Sequence, residues 1–384
     1  MIHSTSVLEI DRSALCSNLQ FLKSLFGAGV KISSVVKANA YGHGAEMFVP
    51  IAESMGIDHF SVFSADEAYK IYPLLKKTSS LMIMGWVDAE EMEWAIAHGV
   101  DFWIFEPSRL TLALALAKKL KKAARIHLEA ETGMNRTGLQ TREIKKAGMI
   151  IKDNRENLLL NGLCTHFAGA ESIANHYRVQ NQIRRFNRIK RWFLANDITP
   201  LYLHTASSAA ALTYPNTRMN LVRIGIAQYG FWPSDESFIH YIHRRKEKKD
   251  PLNRIISWKS KIMSLKDVTQ GEFVSYGTTY LAQKDKRIAI VPVGYSHGFS
   301  RSLSNQGRVL INGQRVGVIG MVNMNMLIAD VTTLPDVRLD DEVVIIGRQG
   351  DLEITVASFS EISNQVNYEL LARLPSNIHR IIKN

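Results

Sequence analysis

At 384 residues the chain exceeds a single small domain and has room for one barrel plus a smaller domain. Hydrophobic residues make up 46% and charged residues 22%, the balance of a globular protein with a sizeable core and not of a disordered or fibrous chain. The net charge of +11 is spread along helices, as at Lys118-Lys119 and Lys121-Lys122, and no apolar run approaches the length of a bilayer span, so neither nucleic acid nor membrane is an expected partner.

The N-terminus carries no basic-then-apolar signal segment, and the two cysteines, Cys16 and Cys164, lack the close spacing of a disulfide or metal pair. Buried thiols in a cytoplasmic protein, with no metal site, are the expectation. The densest basic run, Arg244-Arg245-Lys246-Glu247-Lys248-Lys249-Asp250, contains acids and precedes Pro251, which reads as a solvated linker between domains.

In chain order, Val7 to Ile10 reads as a strand, and Asp11 caps a helix with Leu15, Leu19, Leu22 and Leu25 on one face. Lys31 to Val36 is a second short strand with Lys37 at its end, followed by small residues, a Gly-His-Gly turn and a helical pattern over Ala45–Met55. Strand-length apolar runs then recur at His59–Phe63, Leu81–Met84, Phe102–Phe105, Arg125–Leu128, Leu159–Thr165, Leu201–His204 and Leu221–Ile224. Helical segments such as Glu90–Ala97, Leu110–Leu120, Arg142–Ile151 and Tyr177–Ala195 lie between them. With the lysine strand this makes eight βα units in about 240 residues, the length of a (β/α)8 barrel. The fold class is therefore α/β, an N-terminal TIM-type barrel over residues 1–245 and a C-terminal mostly-β domain over 246–384. The first strand, about 7–10, is free to pack with the C-terminal domain.

Past residue 250 short β-like runs alternate with turns: Ile255–Met263, Phe273–Tyr276, Arg287–Val293, Arg308–Ile311, Arg315–Ile319, Met326–Val331 and Val343–Ile346. Asn312-Gly313 is a two-residue hairpin signal, and only Thr355–Ser363 reads as helical.

Barrel chemistry gathers at the C-terminal ends of the strands. Lys37 falls at the end of the first barrel strand, Arg136 after the fifth, His166 at the end of the sixth, Ser207-Ser208 after the seventh and Arg223 near the end of the eighth. Desolvation at such a position lowers a lysine's pKa and frees its lone pair for attack on a carbonyl. The hydroxyls of His204-Thr205-Ala206-Ser207-Ser208 and the glycine of Arg223-Ile224-Gly225-Ile226 suit a phosphate, which barrels often hold after their last two strands.

The decapeptide Val35-Val36-Lys37-Ala38-Asn39-Ala40-Tyr41-Gly42-His43-Gly44 closely resembles the cofactor-lysine motif of alanine racemases, fold-type III enzymes that use pyridoxal 5′-phosphate. The similarity continues through Glu131-Thr132-Gly133-Met134-Asn135-Arg136, the Ser208 and Arg223 segments, Val274-Ser275-Tyr276-Gly277, Gly294-Tyr295-Ser296-His297-Gly298 and Asn367-Tyr368-Glu369-Leu370. The resemblance implies that Lys37 carries the cofactor, that Tyr41, Ser208, Gly225, Ile226 and Tyr368 bind its phosphate, and that Arg223 pairs with its ring nitrogen. It implies Lys37 and Tyr276 as the two catalytic bases, with His166 hydrogen-bonded to Tyr276. Arg136 would contact the cofactor and the substrate carboxylate, with Met324 nearby.

Tyr276 would reach the site of the other subunit of a homodimer. An arginine at the ring nitrogen leaves that nitrogen unprotonated and so favours racemisation over the chemistry of related decarboxylases, which place an acid there. The expected activity interconverts L- and D-alanine for peptidoglycan, with serine or a broad range of amino acids as the alternative substrates. The sequence departs from the family pattern at Glu129, where many members carry a carbamylated lysine, at Ser207, at His297 and at Asn325.

Overall fold

A computed structural model describes residues 4–243, 245–359 and 367–384, and these fall into two compact units. One comprises residues 14–38 and 48–254; the other comprises the N-terminus to Ser13, the segment Asn39–Met47, and Ile255 to the C-terminus.

The strands in chain order are β1 (Ser6–Asp11), β2 (Lys31–Val35), β3 (His59–Val62), β4 (Ser80–Ile83), β5 (Asp101–Ile104), β6 (Ala124–Glu129), β7 (Leu158–Cys164), β8 (Tyr202–His204) and β9 (Leu221–Ile224). They continue as β10 (Ile256–Lys261), β11 (Ser264–Val268), β12 (Lys286–Val291), β13 (Arg308–Ile311), β14 (Gln314–Gly317), β15 (Leu327–Asp330), β16 (Glu342–Gln349), β17 (Leu352–Ile354) and β18 (His379–Lys383).

In the first unit β2 to β9 form one parallel sheet in the order β8-β7-β6-β5-β4-β3-β2-β9, a nearly closed eight-stranded barrel. The gap between β8 and β9 is bridged by one pairing, Ser207 with Arg223, and by a side chain. Asn220 accepts from Leu203 N at 2.7 Å and donates to Leu201 O at 2.9 Å, supplying the hydrogen bonds of a missing ladder. The helices follow the apolar periodicity. In His176–Ala195 the buried residues Val179, Gln182, Ile183, Phe186, Ile189 and Phe193 share one stripe. Ala89–His98 opens on a capping box between Asp88 and Glu91 and closes at Gly99, whose φ of 68° is the left-handed cap.

In the other unit a seven-stranded sheet runs β14-β13-β16-β10-β1-β18 with β17 on β16, and β11-β12-β15 form a second sheet. β1 pairs parallel with β18 and antiparallel with β10, so the N-terminal strand belongs to this sheet and not to the barrel. Its alternating burial, with Leu8 and Ile10 inward, suits a sheet with one covered face. The Asn312-Gly313 hairpin is present, with φ of 48° and 73° at the two turn residues.

Two readings of this region need correction. Phe273–Tyr276 is not a strand: only Phe273 pairs, in an isolated bridge to Leu281, because the positive φ of Ser275 (66°) and Gly277 (69°) breaks the extended run. The helix Asn367–Ala372 and the strand β18 were not anticipated, both being short and without a clean period. Of the expected helix Thr355–Ser363, residues 357–359 are helical, and residues 360–363 lie outside the described residues.

Candidate active site

The eight parallel strands of the barrel unit point their C-terminal ends the same way, and Lys37, Glu129, His166, His204, Ser208 and Arg223 all lie at or just beyond those ends. Two of the expected positions shift slightly. Lys37 follows β2 and opens a short helical turn, Lys37–Tyr41, and β7 stops at Cys164, two residues short of His166.

That turn is unusual. Ala38, Asn39, Ala40 and Tyr41 all have φ between 51° and 54°, a left-handed turn made without glycine. Each such residue costs roughly 1–2 kcal/mol, so the surroundings must hold the turn. Glu67 does so from one side, accepting from Ala38 N at 2.5 Å and from Phe63 N at 2.8 Å. The end of β2 is fixed from below: Tyr229 Oη and Gln228 Nε2 both donate to Val35 O, at 2.9 and 3.0 Å. The segment after β9 thereby clamps the backbone two residues before Lys37.

Burial and the charge of Arg136 hold the Lys37 ammonium below its usual pKa, with Glu67 opposing. No hydrogen bond or ion pair to its Nζ is formed among the described residues. His166 is pushed down to about 3 by burial and by the charges of Arg223, Arg136 and Lys37, so its ring is neutral. The Arg136 loop is shaped by Glu131, whose carboxylate accepts from Gly133 N and from Asn135 N, leaving Arg136 exposed. Glu129 is buried, its carboxyl raised by desolvation, and its Oε2 lacks a hydrogen-bond partner. Thr137 bonds the carboxyl, and no ion pair joins Glu129 to Arg136 among the described residues.

Arg223 is buried, and its terminal nitrogens are fully committed. One donates to His204 Nδ1 at 2.6 Å and His204 O at 2.7 Å; the other donates to Thr165 O at 2.9 Å and Thr205 O at 3.3 Å. Four N–H groups for four acceptors leave Nε–H as the one uncommitted donor of the guanidinium among the described residues. Beside it the loops after β8 and β9 meet: Gly225 N donates to Ser208 Oγ at 3.0 Å, so a hydroxyl and a glycine amide converge.

These residues fit pyridoxal phosphate. A neutralisable amine, a hydroxyl-amide pair for the phosphate, and a buried cation with one free N–H for a ring nitrogen stand at one end of the barrel. The positive charge of Lys37, Arg136 and Arg223 suits an anionic ligand.

The remaining expected residues belong to the other unit. Tyr276 is 72% exposed, and Met324 and Tyr368 are exposed as well. Ser275 Oγ donates to Met321 O at 2.7 Å and to Asn323 Oδ1 at 3.1 Å, tying the backbone before Tyr276 to the Met324 loop. Ser296 Oγ donates to Met324 O and Asn325 Oδ1, at 2.7 and 2.8 Å, so Asn325 and the segment bearing His297 meet in the same loop cluster. Tyr41 lies in the segment Asn39–Met47, which packs with this unit. Gly42 has no room for a Cβ against Leu371 O, and Arg380 Nε donates to Gly42 O at 2.9 Å. Sequence reasoning missed Glu67, Gln228, Tyr229 and the role of His204. A signal for the last was available: a histidine in a buried parallel strand must have a polar partner.

Among the described residues no group of three or more His, Cys, Asp or Glu is placed to hold a metal ion, and no helix is long and apolar enough to cross a membrane.

The family models for the alanine racemase N-terminal domain and C-terminal domain match residues 10–233 and 255–382. Alanine racemases of Leptospira interrogans and Halothermothrix orenii are each 33% identical over 380 residues, 98% of this chain and 96% of theirs. The crystal structure of alanine racemase from Bacillus anthracis with bound L-Ala-P has a TM-score of 0.90 at 30% identity, covering 100% of this chain and 96% of that one. The Bartonella henselae alanine racemase, with covalently bound pyridoxal phosphate, shares the fold at a TM-score of 0.84 and 24% identity, over 99% of this chain and 100% of that one.

Proposed function

The chain belongs to the alanine racemase family, and we propose that it interconverts L- and D-alanine with pyridoxal phosphate bound at Lys37, supplying D-alanine for peptidoglycan in the cytoplasm. It is an amino-acid racemase, an isomerase. The observation that carries the reading is the barrel end itself: a depressed lysine amine and a buried arginine with one uncommitted N–H.

Pyridoxal phosphate, when bound, withdraws electrons from the substrate Cα and makes its proton acidic. Lys37 holds the ligand and moves a proton on one face of Cα, a task its lowered pKa favours. Tyr276 of the partner subunit moves the proton on the opposite face. Its exposure in the single chain supports delivery to a second copy, and a twofold dimer provides two equivalent sites. His166, neutral in its positive surroundings, serves Tyr276 as a hydrogen-bond partner. Arg136 binds the substrate carboxylate, with Met324 beside it. Ser208, Gly225, Ile226, Tyr41 and Tyr368 hold the phosphate. Arg223 would donate its Nε–H to the ring nitrogen and, staying protonated itself, would not pass that proton on, so the nitrogen would remain unprotonated.

The test is chiral analysis of products from a panel of L-amino acids, serine included, with purified protein and pyridoxal phosphate. D-Alanine as the main product, absent with Lys37→Ala, fits the proposal. Racemisation of serine or many amino acids with alanine a poor substrate contradicts the alanine assignment, and no racemisation contradicts the whole.

A further inference from the structure

A line of polar side chains runs through the barrel unit, behind Arg223. His204 Nε2 lies 2.7 Å from His127 Nδ1, and His127 Nε2 lies 3.0 Å from Asp101 Oδ2. Asp101 also accepts from Arg125 Nε at 2.5 Å and from Asn161 Nδ2 at 3.0 Å. Asp101, His127 and His204 are buried.

The two ends of this line fix its direction. An arginine only donates, so His204 Nδ1 must accept; the proton of a neutral His204 is then on Nε2 and is given to His127 Nδ1. A carboxylate only accepts, so His127 Nε2 must carry the proton given to Asp101. Both ends demand the same pair of neutral Nε2–H tautomers. The charges agree with this: Asp101 is held below its usual pKa by its bonds to His127 and by Arg125 against the cost of burial, and His204 is driven far down by burial and Arg223. The groups facing the line from other elements are His59, Cys164, Glu129 and Arg136; His59 is itself neutral, pushed down to about 4 by burial.

We propose that Asp101, acting through His127 and His204, is a positioning residue that fixes the guanidinium of Arg223 so that its Nε–H stays free for the cofactor's ring nitrogen. The proposal rests on the reading of Arg223 given above. Without His127 as acceptor, the buried His204 Nε2–H loses its partner and the ring is free to change tautomer. A proton on His204 Nδ1 would face an Arg223 N–H at 2.6 Å, donor against donor, and the guanidinium would have to turn.

The experiment is 15N NMR of histidine-labelled protein, first without cofactor, with His127 and His204 assigned by the loss of each signal in single variants. The wild type should show both rings neutral and protonated at Nε2 from pH 6 to 8. A ring protonated at Nδ1, or charged, overturns the proposal. In His127→Met, His204 should lose its single tautomer, the absorption of bound pyridoxal phosphate should shift, and kcat should fall about 10- to 100-fold, as for other residues that orient a ligand's contacts. In His127→Gln the amide can accept from His204 and donate to Asp101, so kcat and spectrum should recover in part. A folded His127→Met protein with unchanged cofactor absorption and kcat overturns the positioning role. Tautomers as stated, with Arg223→Lys leaving the cofactor absorption untouched, overturn the reading of Arg223 instead, and the positioning role falls with it.

Discussion

Gly162 lies against the ring of His127: a Cβ built on its backbone would overlap Nδ1 and stand 2.7 Å from both Cγ and His204 Nε2. The bond between the two histidines occupies the space that any other residue's side chain would need. Gly162→Ala should therefore cost about 1–3 kcal/mol by overpacking. Gly29, which has nothing within 4 Å of its own added Cβ and lies in the same unit, should accept alanine without loss. Urea midpoints of the two variants check the contrast, and equal midpoints would contradict the packing described.

The left-handed turn after Lys37 gives a second prediction. Ala38 sits at φ 51°, where a β-branched side chain is strained and glycine is at ease. Ala38→Val should destabilise by about 1–2 kcal/mol and Ala38→Gly should not. The measurement is the midpoint of urea unfolding, with retention of pyridoxal phosphate as a second readout of the turn. Equal effects of valine and glycine would place residue 38 in an ordinary conformation.

The neutral His59 makes stability depend on pH. Its folded pKa of about 4 lies below the usual 6.5, so between those values the unfolded chain binds a proton that the folded chain does not. Stability is full above pH 6.5 and falls with pH down to about 4, by on the order of 3 kcal/mol for this group. His59→Gln should flatten that part of the profile. A parallel profile in wild type and variant would show that His59 protonates as easily folded as unfolded.

How far the sequence disclosed all this depends on the kind of signal. The eight barrel strands were legible because each is a short apolar run set off by an amphipathic helix, and a parallel strand buried on both faces leaves that mark. Lys37, Arg136, His166 and Arg223 were legible as reactive residues beside such runs. The Tyr276 segment misled because Phe, Val and Tyr favour strands, while a positive φ at Ser275 is a tertiary effect that no local pattern reports. Asp101, His127 and His204 each read alone as an isolated polar residue in an apolar strand. Their connection spans 103 residues between Asp101 and His204, and only the barrel closes it. Glu67 was hidden for the same reason, being an ordinary helix residue until the backbone of Ala38 is set beside it.

Deuterium incorporation during racemisation is the most direct test of the proposed chemistry. Purified protein with pyridoxal phosphate is given L-alanine in D2O, and the two enantiomers are separated and weighed at early times. With Lys37 on one face of Cα and the partner's Tyr276 on the other, D-alanine should appear carrying one deuterium at Cα while the remaining L-alanine stays largely unlabelled. Lys37→Ala should abolish both formation and labelling. Formation of no D-alanine, or equal early labelling of both enantiomers from a single shared base, would contradict the account.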